Sequence, residues 1–244
     1  MDEQTDRTLS LTRDMLANVY PYRVYGKVNQ VGWLVIEGKG PISSVGDSAL
    51  IYPVDSNVPI DAEVVGFRDG KTLLMPLGDL RGVGIGSRIL SRKRNADTLA
   101  GQGLLGRVID GLGNPIDGKG PLNCTESVPI YRETVNPMRK KRIEEPLDLG
   151  IRSINGLLTC CKGQRIGIFA GSGVGKSVLL GMIARHTEAK VNVIGLIGER
   201  GREVREFIER DLGDGIKNSV VVVATSDQPP LIRVRGAFLT IALA

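Results

Sequence analysis

Short apolar runs separated by turn residues fill the chain between residues 21 and 93. None of these runs shows the helical spacing of apolar positions, and Asp69-Gly70 is a dipeptide typical of a β-hairpin turn. Closely spaced strands and turns of this kind predict a small β-barrel over residues 21–93. The runs are YRVYGKVNQVGWLVIEG, SALIYPV, DAEVVGFRDGKTLLMPLG and GSRILS.

The segment before the predicted barrel, residues 1–20, has a weaker pattern. Leu9, Leu16 and Val19, with Met15 beside them, could share one face of a short helix. That face could recruit a partner or lie on the barrel, and a frayed tail fits the pattern as well. We therefore predict an N-terminal tail or a short helix.

From residue 94 onward the apolar runs become longer and alternate with helix-like stretches. GLLGRVIDGLGNPIDGKGPL indicates a strand, a turn and a loop, and DLGIRSINGLLTC indicates a helix. Three repeats of buried strand, loop and helix follow: RIGIFAG before KSVLLGMIARHT, VNVIGLIGERG before REVREFIERDLG, and SVVVVATSDQPP before LIRVRGAFLTIALA. Such alternation is typical of a parallel sheet covered on both faces. An α/β domain over residues 94–244 is therefore predicted.

A glycine-rich loop joins the first of these strands to its helix. Residues 170–177 read AGSGVGKS, which is the Walker A spacing with Ala170 where the strict pattern has glycine. The glycines let consecutive backbone N–H groups surround phosphate oxygens, and the helix N-terminus adds free donors and partial positive charge. Lys176 would reach the β- and γ-phosphates, and the Ser177 hydroxyl would ligate Mg²⁺. The predicted nucleotide-binding residues are Gly171, Ser172, Gly173, Val174, Gly175, Lys176, Ser177 and Val178.

Glu199 ends the second predicted strand, in the sequence GERGRE. Open α/β sheets bind ligands at the carboxyl ends of their strands. If this strand lies beside the strand of the glycine loop, the Glu199 carboxylate faces the γ-phosphate and polarises a water. Arg200 could brace that carboxylate or bridge to a neighbouring molecule. An ion pair of Glu199 with Arg200 or Arg202 that caps the following helix is the alternative.

Asp227 also follows a buried strand, in VVVVATSD, and therefore mimics the Walker B aspartate. A Pro-Pro turn comes directly after it. We interpret Asp227 as a structural residue of that turn.

Charge and composition narrow the class of function. The net charge of +5 is spread over interleaved acids and bases, and aromatic residues make up only 4% of the chain. A nucleic-acid binder would cluster basic and aromatic side chains on one surface. The basic runs at residues 92–94 and 139–142 fit solvated linkers better than phosphate contacts.

Cysteine usage and the N-terminal sequence bear on the compartment. Cys124, Cys160 and Cys161 form an odd number without CxxC spacing, which supports neither a disulfide framework nor a zinc site. Reduced thiols suit a cytosolic protein. The N-terminus MDEQTDRT is unlike a signal peptide, and no run approaches the roughly 20 apolar residues of a membrane span. We expect a cytoplasmic protein that reaches a membrane only through partners.

Four segments resemble the rotary-ATPase superfamily and, within it, the export ATPases of bacterial type III secretion systems and flagella. They are GRVIDGLGNPIDGKGPL, NPMRKKRIEEPLDLGIRSINGLLTCCKGQRIGIFAGSGVGKS, LIGERGREVREFIERDLG and TSDQPPLIRVRGAFLTIALA. The resemblance extends from about residue 20 to the last residue. It implies a β-barrel followed by a RecA-like P-loop core, in a homohexamer that binds ATP and Mg²⁺ at its subunit interfaces. It also implies Glu199 as the catalytic carboxylate, and we predict Lys176 and Arg200 as its catalytic partners.

The function implied by the resemblance is ATP hydrolysis that energises protein export at the inner-membrane base of the secretion apparatus. Stator proteins, stalk proteins and chaperone–cargo complexes are the implied partners, and release and unfolding of cargo is the implied work. Three alternatives stay open at this point. They are a subunit of a proton-translocating ATP synthase, an RNA-binding translocase with a barrel and a RecA-like core, and a nucleotide-binding fragment without turnover.

Family members continue beyond the position that corresponds to Ala244. The resemblance places their Walker B strand, adenine-stacking residues, arginine finger and C-terminal helical domain after that point. An arginine finger contributes roughly 10³- to 10⁵-fold in rate. We therefore expect these 244 residues to be a fragment, truncated before the Walker B strand, that hydrolyses ATP very weakly.

Overall fold

A computed structural model of the protein describes residues 24–32, 34–92, 96–132, 135–171 and 173–244. The chain divides into two units, Met1–Arg94 and Asn95–Ala244. The predicted N-terminal tail or helix lies outside the described residues, and so do Trp33 and the predicted loop residue Ser172.

The first unit is a closed barrel of six antiparallel strands, paired in the order β1-β2-β5-β4-β3-β6. Alternate side chains point inward, where an apolar core includes the fully buried Ile36, Ile51 and Leu74. This confirms the predicted barrel. The strands are β1 (Tyr25–Val31), β2 (Ile36–Lys39), β3 (Ser48–Tyr52), β4 (Ile60–Arg68), β5 (Lys71–Pro76) and β6 (Arg88–Ser91).

The predicted hairpin turn joins β4 to β5. Asp69 and Gly70 have φ angles of 49° and 70°, which is the left-handed backbone that this two-residue turn requires. Asp69 tolerates it because a short polar side chain suits that region, and Gly70 has no Cβ to oppose it.

The second unit contains a three-stranded parallel sheet and a separate antiparallel pair. Strands β8 (Arg107–Asp110), β10 (Asn192–Ile197) and β11 (Ser219–Ala224) form the parallel sheet, in the order β10-β11-β8. Strands β7 (Asp97–Ala100) and β9 (Glu126–Pro129) form the pair. All six residues of β11 are buried, as expected of a central strand with both faces covered. The predicted parallel α/β core is therefore confirmed.

The described part of the second unit contains four helices, some of which cover the two faces of this sheet. They are α1 (Arg152–Leu157), α2 (Lys176–His186), α3 (Gly201–Glu206) and α4 (Pro230–Leu243), with short 3₁₀ turns at Gln102–Leu104 and Pro137–Arg139. The chain after α3 continues as a π-helical turn, Phe207–Leu212, and a 3₁₀ turn, Gly213–Asn218. No helix in the described ranges has the length and apolar character needed to cross a bilayer.

Two apolar clusters show how the helices meet the sheet. Val204, Phe207 and Leu212 pack with β11 on one side, and Leu239 of α4 packs with β8 and β11 on the other. A Cβ added at Gly195 would lie 2.7 Å from Thr240 Oγ1 of α4, so glycine permits this close approach of helix and strand.

The predicted buried strand RIGIFAG is not formed. Residues 165–170 have no regular secondary structure, and Ile166 and Phe169 are 48% and 96% exposed. A strand exists only where a neighbour pairs with its N–H and C=O groups. In the described part of the chain, no backbone hydrogen bond joins this segment to the sheet. The condition stated for Glu199, that its strand lies beside the loop strand, is therefore not met, because residues 165–170 form no strand.

Candidate functional site

The glycine-rich loop adopts a backbone that its sequence requires. Gly173 and Gly175 have φ angles of 78° and 93°, in the left-handed region that favours glycine. A Cβ added at either would meet no atom within 4 Å. Conformation, and not crowding, is therefore what selects glycine at these two positions.

The N-terminus of α2 offers unpaired backbone donors. Gly175 is the N-cap residue, and no side chain caps the helix. The first intrahelical bond runs from Leu179 N to Gly175 O at 2.9 Å, so the N–H groups of Lys176, Ser177 and Val178 have no partner within the helix. Free donors at the positive end of a helix, next to a lysine, form a set that fits a polyphosphate.

Most of the predicted site residues line a single cleft of about 550 Å³. The loop and the start of α2 form one wall, and Glu199 with the α3–π segment forms the other. Val174, which is 66% exposed, and Arg200 are outside the lining. The lining residues are Ala170, Gly171, Gly173, Gly175, Lys176, Ser177, Val178, Glu199, Glu203, Glu206, Phe207, Arg210 and Asp211. We call this the phosphate-loop cleft.

A smaller cavity of about 30 Å³ lies between the two walls. Its polar lining comes from Lys176, Ser177, Glu199 and Glu203. Its apolar lining comes from Leu180, Leu196, Val204 and Phe207. Its volume exceeds the roughly 10–15 Å³ that one water requires, and several polar groups are available to bind that water.

The main chain at Glu199 is held by hydrogen bonds, while its carboxylate has no partner in the part of the chain that the structure describes. Ser226 N donates to Glu199 O at 3.0 Å, and Gly198 N donates to Ala224 O at 2.7 Å, which hold the end of β10 against the end of β11. Among the described residues, neither an ion pair nor a hydrogen bond engages the Glu199 carboxylate.

Arg200 pairs with Glu203 instead of Glu199. Its Nη1 lies 3.9 Å from Glu203 Oε1, and the two side chains are 68% and 46% exposed. The alternative in which Glu199 forms a capping ion pair with Arg200 or Arg202 is absent from the described part of the chain. Among the described residues, Glu203 links Arg200 to the cleft, because it pairs with Arg200 and lines the cleft.

Sequence reasoning missed the second wall of the cleft. Glu206 and Phe207 come three and four residues after Glu203, and Arg210 comes three residues after Phe207, which places all four on one helical face. Arg210 Nη1 and Glu206 Oε1 are 3.2 Å apart. The spacing of these four residues after Glu199 is a signal that could have identified the wall.

Helix α2 is anchored to the π-helical turn that carries part of that wall. A Cβ added at Gly181 would overlap the backbone carbonyl of Asp211. Arg185 Nη1 also donates to Asp211 O at 2.5 Å. These contacts fix the distance between the loop helix and the opposite wall.

Asp227 lies in the turn after β11, exposed and outside the cleft lining. A hydrogen bond from the Thr225 side chain holds the pKa of the Asp227 carboxyl below its usual value. Its hydrogen bond is thus to a residue of its own turn.

Comparison with known proteins gives concordant matches. The model of the ATP synthase alpha/beta family, nucleotide-binding domain, matches residues 150–244. The flagellum-specific ATP synthase of Bacillus subtilis is 52% identical over 225 residues, which cover 91% of this chain and 51% of that protein. The type 3 secretion system ATPase of Xanthomonas euvesicatoria is 46% identical over 230 residues, which cover 94% of this chain and 52% of that protein.

Solved structures agree with these matches. The assembled ATPase EscN from the type III secretion system of enteropathogenic E. coli is 38% identical, with a TM-score of 0.79, over 90% of this chain and 52% of that one. A second EscN structure, in complex with its central stalk EscO, gives a TM-score of 0.80.

The chain spans about half the length of the curated relatives it matches. Over that span the matches confirm the resemblance carried by the four sequence segments. The family model adds that the second unit contains a nucleotide-binding domain. Over about nine-tenths of its length, the chain is thus a homologue of the flagellar and type III secretion ATPases.

Proposed function

We propose that this protein binds MgATP in the phosphate-loop cleft and hydrolyses it to energise protein export through a flagellar or type III secretion apparatus. The observation that carries the proposal is the convergence of Lys176, Ser177 and Glu199 on one cavity large enough for a water. In this proposal residues 21–93 form the barrel domain and residues 94–244 the nucleotide-binding domain.

The loop and the first turn of α2 bind the phosphates. Backbone N–H groups of residues 171–178 donate to phosphate oxygens, and the Lys176 ammonium neutralises the β- and γ-phosphates. The Ser177 hydroxyl, at the start of α2, is the group that would hold Mg²⁺. When bound, Mg²⁺ neutralises charge on the phosphates.

Glu199 orients the attacking water. Its carboxylate has no competing partner in the described part of the protein, and it lines the water-sized cavity together with Glu203. Leu180, Leu196, Val204 and Phe207 form the apolar part of that lining, and apolar surroundings strengthen a hydrogen bond between carboxylate and water. Arg200 acts through Glu203, or on a neighbouring subunit.

Assembly and partners are proposed from the solved relatives. One EscN structure is of the assembled ATPase, and the other is of the assembled ATPase in complex with its central stalk. These structures support a homohexamer and a stalk partner for this protein. Stator proteins and chaperone–cargo complexes are the further partners we propose, at the cytoplasmic base of the apparatus. The names of the relatives associate the chain with flagella and secretion, which favours export over the ATP synthase alternative.

Nucleotide binding by the Lys176→Ala variant tests the site. Loss of a charge-assisted contact to phosphate should weaken binding of a fluorescent ATP analogue by about 10- to 100-fold. Lys190→Ala is the matched control, because Lys190 is exposed and lies outside the cleft, and it should bind as the wild type does. Equal affinity of the Lys176→Ala variant and the wild type would refute the proposed site.

A further inference from the structure

A second cleft in the same unit, which we call the basic cleft, has a volume of about 1120 Å³. It shares no lining residue with the phosphate-loop cleft. Its lining consists of residues from two segments, namely Lys140, Lys141, Arg142, Ile143, Glu144, Glu145, Lys162, Gly163, Gln164 and Arg165. It includes three of the four residues in the second basic run, which the sequence suggested to be a solvated linker.

Backbone hydrogen bonds hold the two segments together. Leu147 N donates to Cys160 O at 2.8 Å, and Lys162 N donates to Glu145 O at 2.9 Å. Cys161 N also donates to Gln164 Oε1 at 2.9 Å, which closes the turn that leads into the second segment. The base of the basic cleft is therefore preformed.

The basic cleft has an excess of positive charge over the acidic side chains that line it. Five cationic and two acidic side chains line it. Lys162 Nζ and Glu145 Oε2 pair at 2.9 Å, and this hydrogen bond raises the pKa of Lys162. Among the described residues, no ion pair is formed by the remaining four cations: Lys140, Lys141, Arg142 and Arg165.

The remaining lining indicates which kind of anionic partner fits. Ile143 is 53% exposed and offers an apolar contact next to Gly163, where an added Cβ would lie 3.9 Å from Ile143 Cγ1. No aromatic side chain of the described residues lines the basic cleft, so this lining lacks the stacking surface with which proteins bind single-stranded nucleic acid. The site is also concave, whereas a lipid surface contacts side chains that project outward. Cations around an apolar side chain suit a polypeptide with acidic and apolar residues.

We propose that the basic cleft is a docking site for an acidic segment of a partner polypeptide, with Ile143 as its apolar anchor. Lys140, Lys141, Arg142 and Arg165 receive the carboxylates of that segment. The inference does not rest on nucleotide binding, and its test contains no nucleotide.

Fluorescence anisotropy with a labelled peptide of Glu, Leu and Ala tests the proposal. The wild-type protein should bind the peptide, and its affinity should fall as salt is raised, because exposed charges are screened. Reversal of two charges in the double variant Lys141→Glu, Arg142→Glu should weaken binding about tenfold. Ile143→Ser should weaken binding with an unchanged salt dependence.

The double variant Lys27→Glu, Lys39→Glu is the matched control for net charge. These lysines face each other on β1 and β2, are exposed and have no ion pair in the described part of the barrel. This control should bind the peptide as the wild type does.

Three results would overturn the proposal. One is wild-type peptide affinity in the Lys141→Glu, Arg142→Glu variant, with circular dichroism showing that it is folded. The second is equal loss of affinity in the barrel control. The third is a deoxythymidine oligonucleotide, or vesicles containing phosphatidylglycerol, that binds more tightly than the peptide and loses affinity in the same variant.

Discussion

At the scale of single residues, Glu199 combines a fixed main chain with a carboxylate that no described residue engages. The hydrogen bond from Ser226 N and the pairing of β10 with β11 set where the residue lies. The carboxylate then faces a cavity that Lys176 and Ser177 also line. A general base must lie within hydrogen-bond reach of the water it orients, and this arrangement provides such a position.

Glu199→Gln separates binding from turnover. The amide keeps the size of the carboxyl group but cannot accept the proton of the water, so ATP should bind with unchanged affinity while phosphate release by the assembled protein falls about 10²- to 10⁴-fold. Glu126→Gln is the control, because Glu126 is exposed on β9 and outside the cleft. Wild-type turnover by Glu199→Gln would show that another group orients the water.

At the scale of elements, the packing of α2 on the π-helical turn sets the width of the phosphate-loop cleft. Gly181 is the buried residue of α2, and it lies against the backbone of Asp211. A π-helical turn is rare and frequently occurs at functional sites. Here it places Phe207, Arg210 and Asp211 on the cleft.

Gly181→Ala tests this contact. The added methyl group overlaps the Asp211 carbonyl, so it should lower the free energy of unfolding by about 1–3 kcal/mol and weaken nucleotide binding. Gly156→Ala is the control, because Gly156 is also helical and a Cβ there meets open space. It should raise the free energy of unfolding by up to about 1 kcal/mol. Urea unfolding followed by circular dichroism measures both, and equal effects at the two positions would contradict the packing argument.

The loop after β8 is held by a buried ion pair. Arg107 Nε donates to Asp117 Oδ2 at 2.7 Å, and its Nη2 donates to Asp117 Oδ1 at 3.0 Å and to Gly120 O at 2.6 Å. The two side chains are only 11% and 6% exposed. The hydrogen bonds from Arg107 hold the pKa of the Asp117 carboxyl well below its usual range, with further contributions from Lys119 N and Val108 N.

The ion pair between Arg107 and Asp117 should make the free energy of unfolding depend on pH. Because the pKa of Asp117 is lower in the folded state, its contribution is present above the unfolded value of about 3.9 and is lost as pH falls toward the folded value. Asp117→Asn should lower the free energy of unfolding by about 3 kcal/mol near pH 7, and the difference from wild type should shrink below about pH 4.

Asp79→Asn is the control for that experiment, because Asp79 pairs with Arg81 at an exposed position of the first unit. It should leave the unfolding curve unchanged. A difference between the Asp117→Asn variant and the wild type that stays constant down to pH 2–3 would contradict the assigned role of the charge.

At the scale of the whole molecule, the barrel gives one observation against an RNA-binding translocase. The Arg88 guanidinium lies 5.4 Å from the ring centroid of Tyr25 and 5.2 Å from that of Tyr52. One face of each of these two rings is therefore occupied within the chain and is not available to stack on bases. The oligonucleotide arm of the anisotropy experiment decides the same question for the second unit.

Local sequence was sufficient where the structure depends on local rules. The barrel was predicted from its turn residues, and the central strand β11 was predicted from a continuous apolar run. The loop conformation was predicted from glycines at fixed spacing. The prediction that RIGIFAG forms a buried strand was wrong, because an apolar run is buried as a strand only if a neighbouring strand pairs with it. The cleft wall formed by α3 and the π-helical turn was missed, because only the fold shows that its residues lie opposite Lys176.

A crystal structure with a non-hydrolysable ATP analogue and Mg²⁺ would show whether the phosphate-loop cleft binds nucleotide as proposed. We expect the β- and γ-phosphates within hydrogen-bond distance of the N–H groups of residues 173–178 and of Lys176 Nζ, with the Glu199 carboxylate facing the γ-phosphorus. An analogue bound elsewhere, or a Glu199 carboxylate turned away from the terminal phosphate, would contradict it.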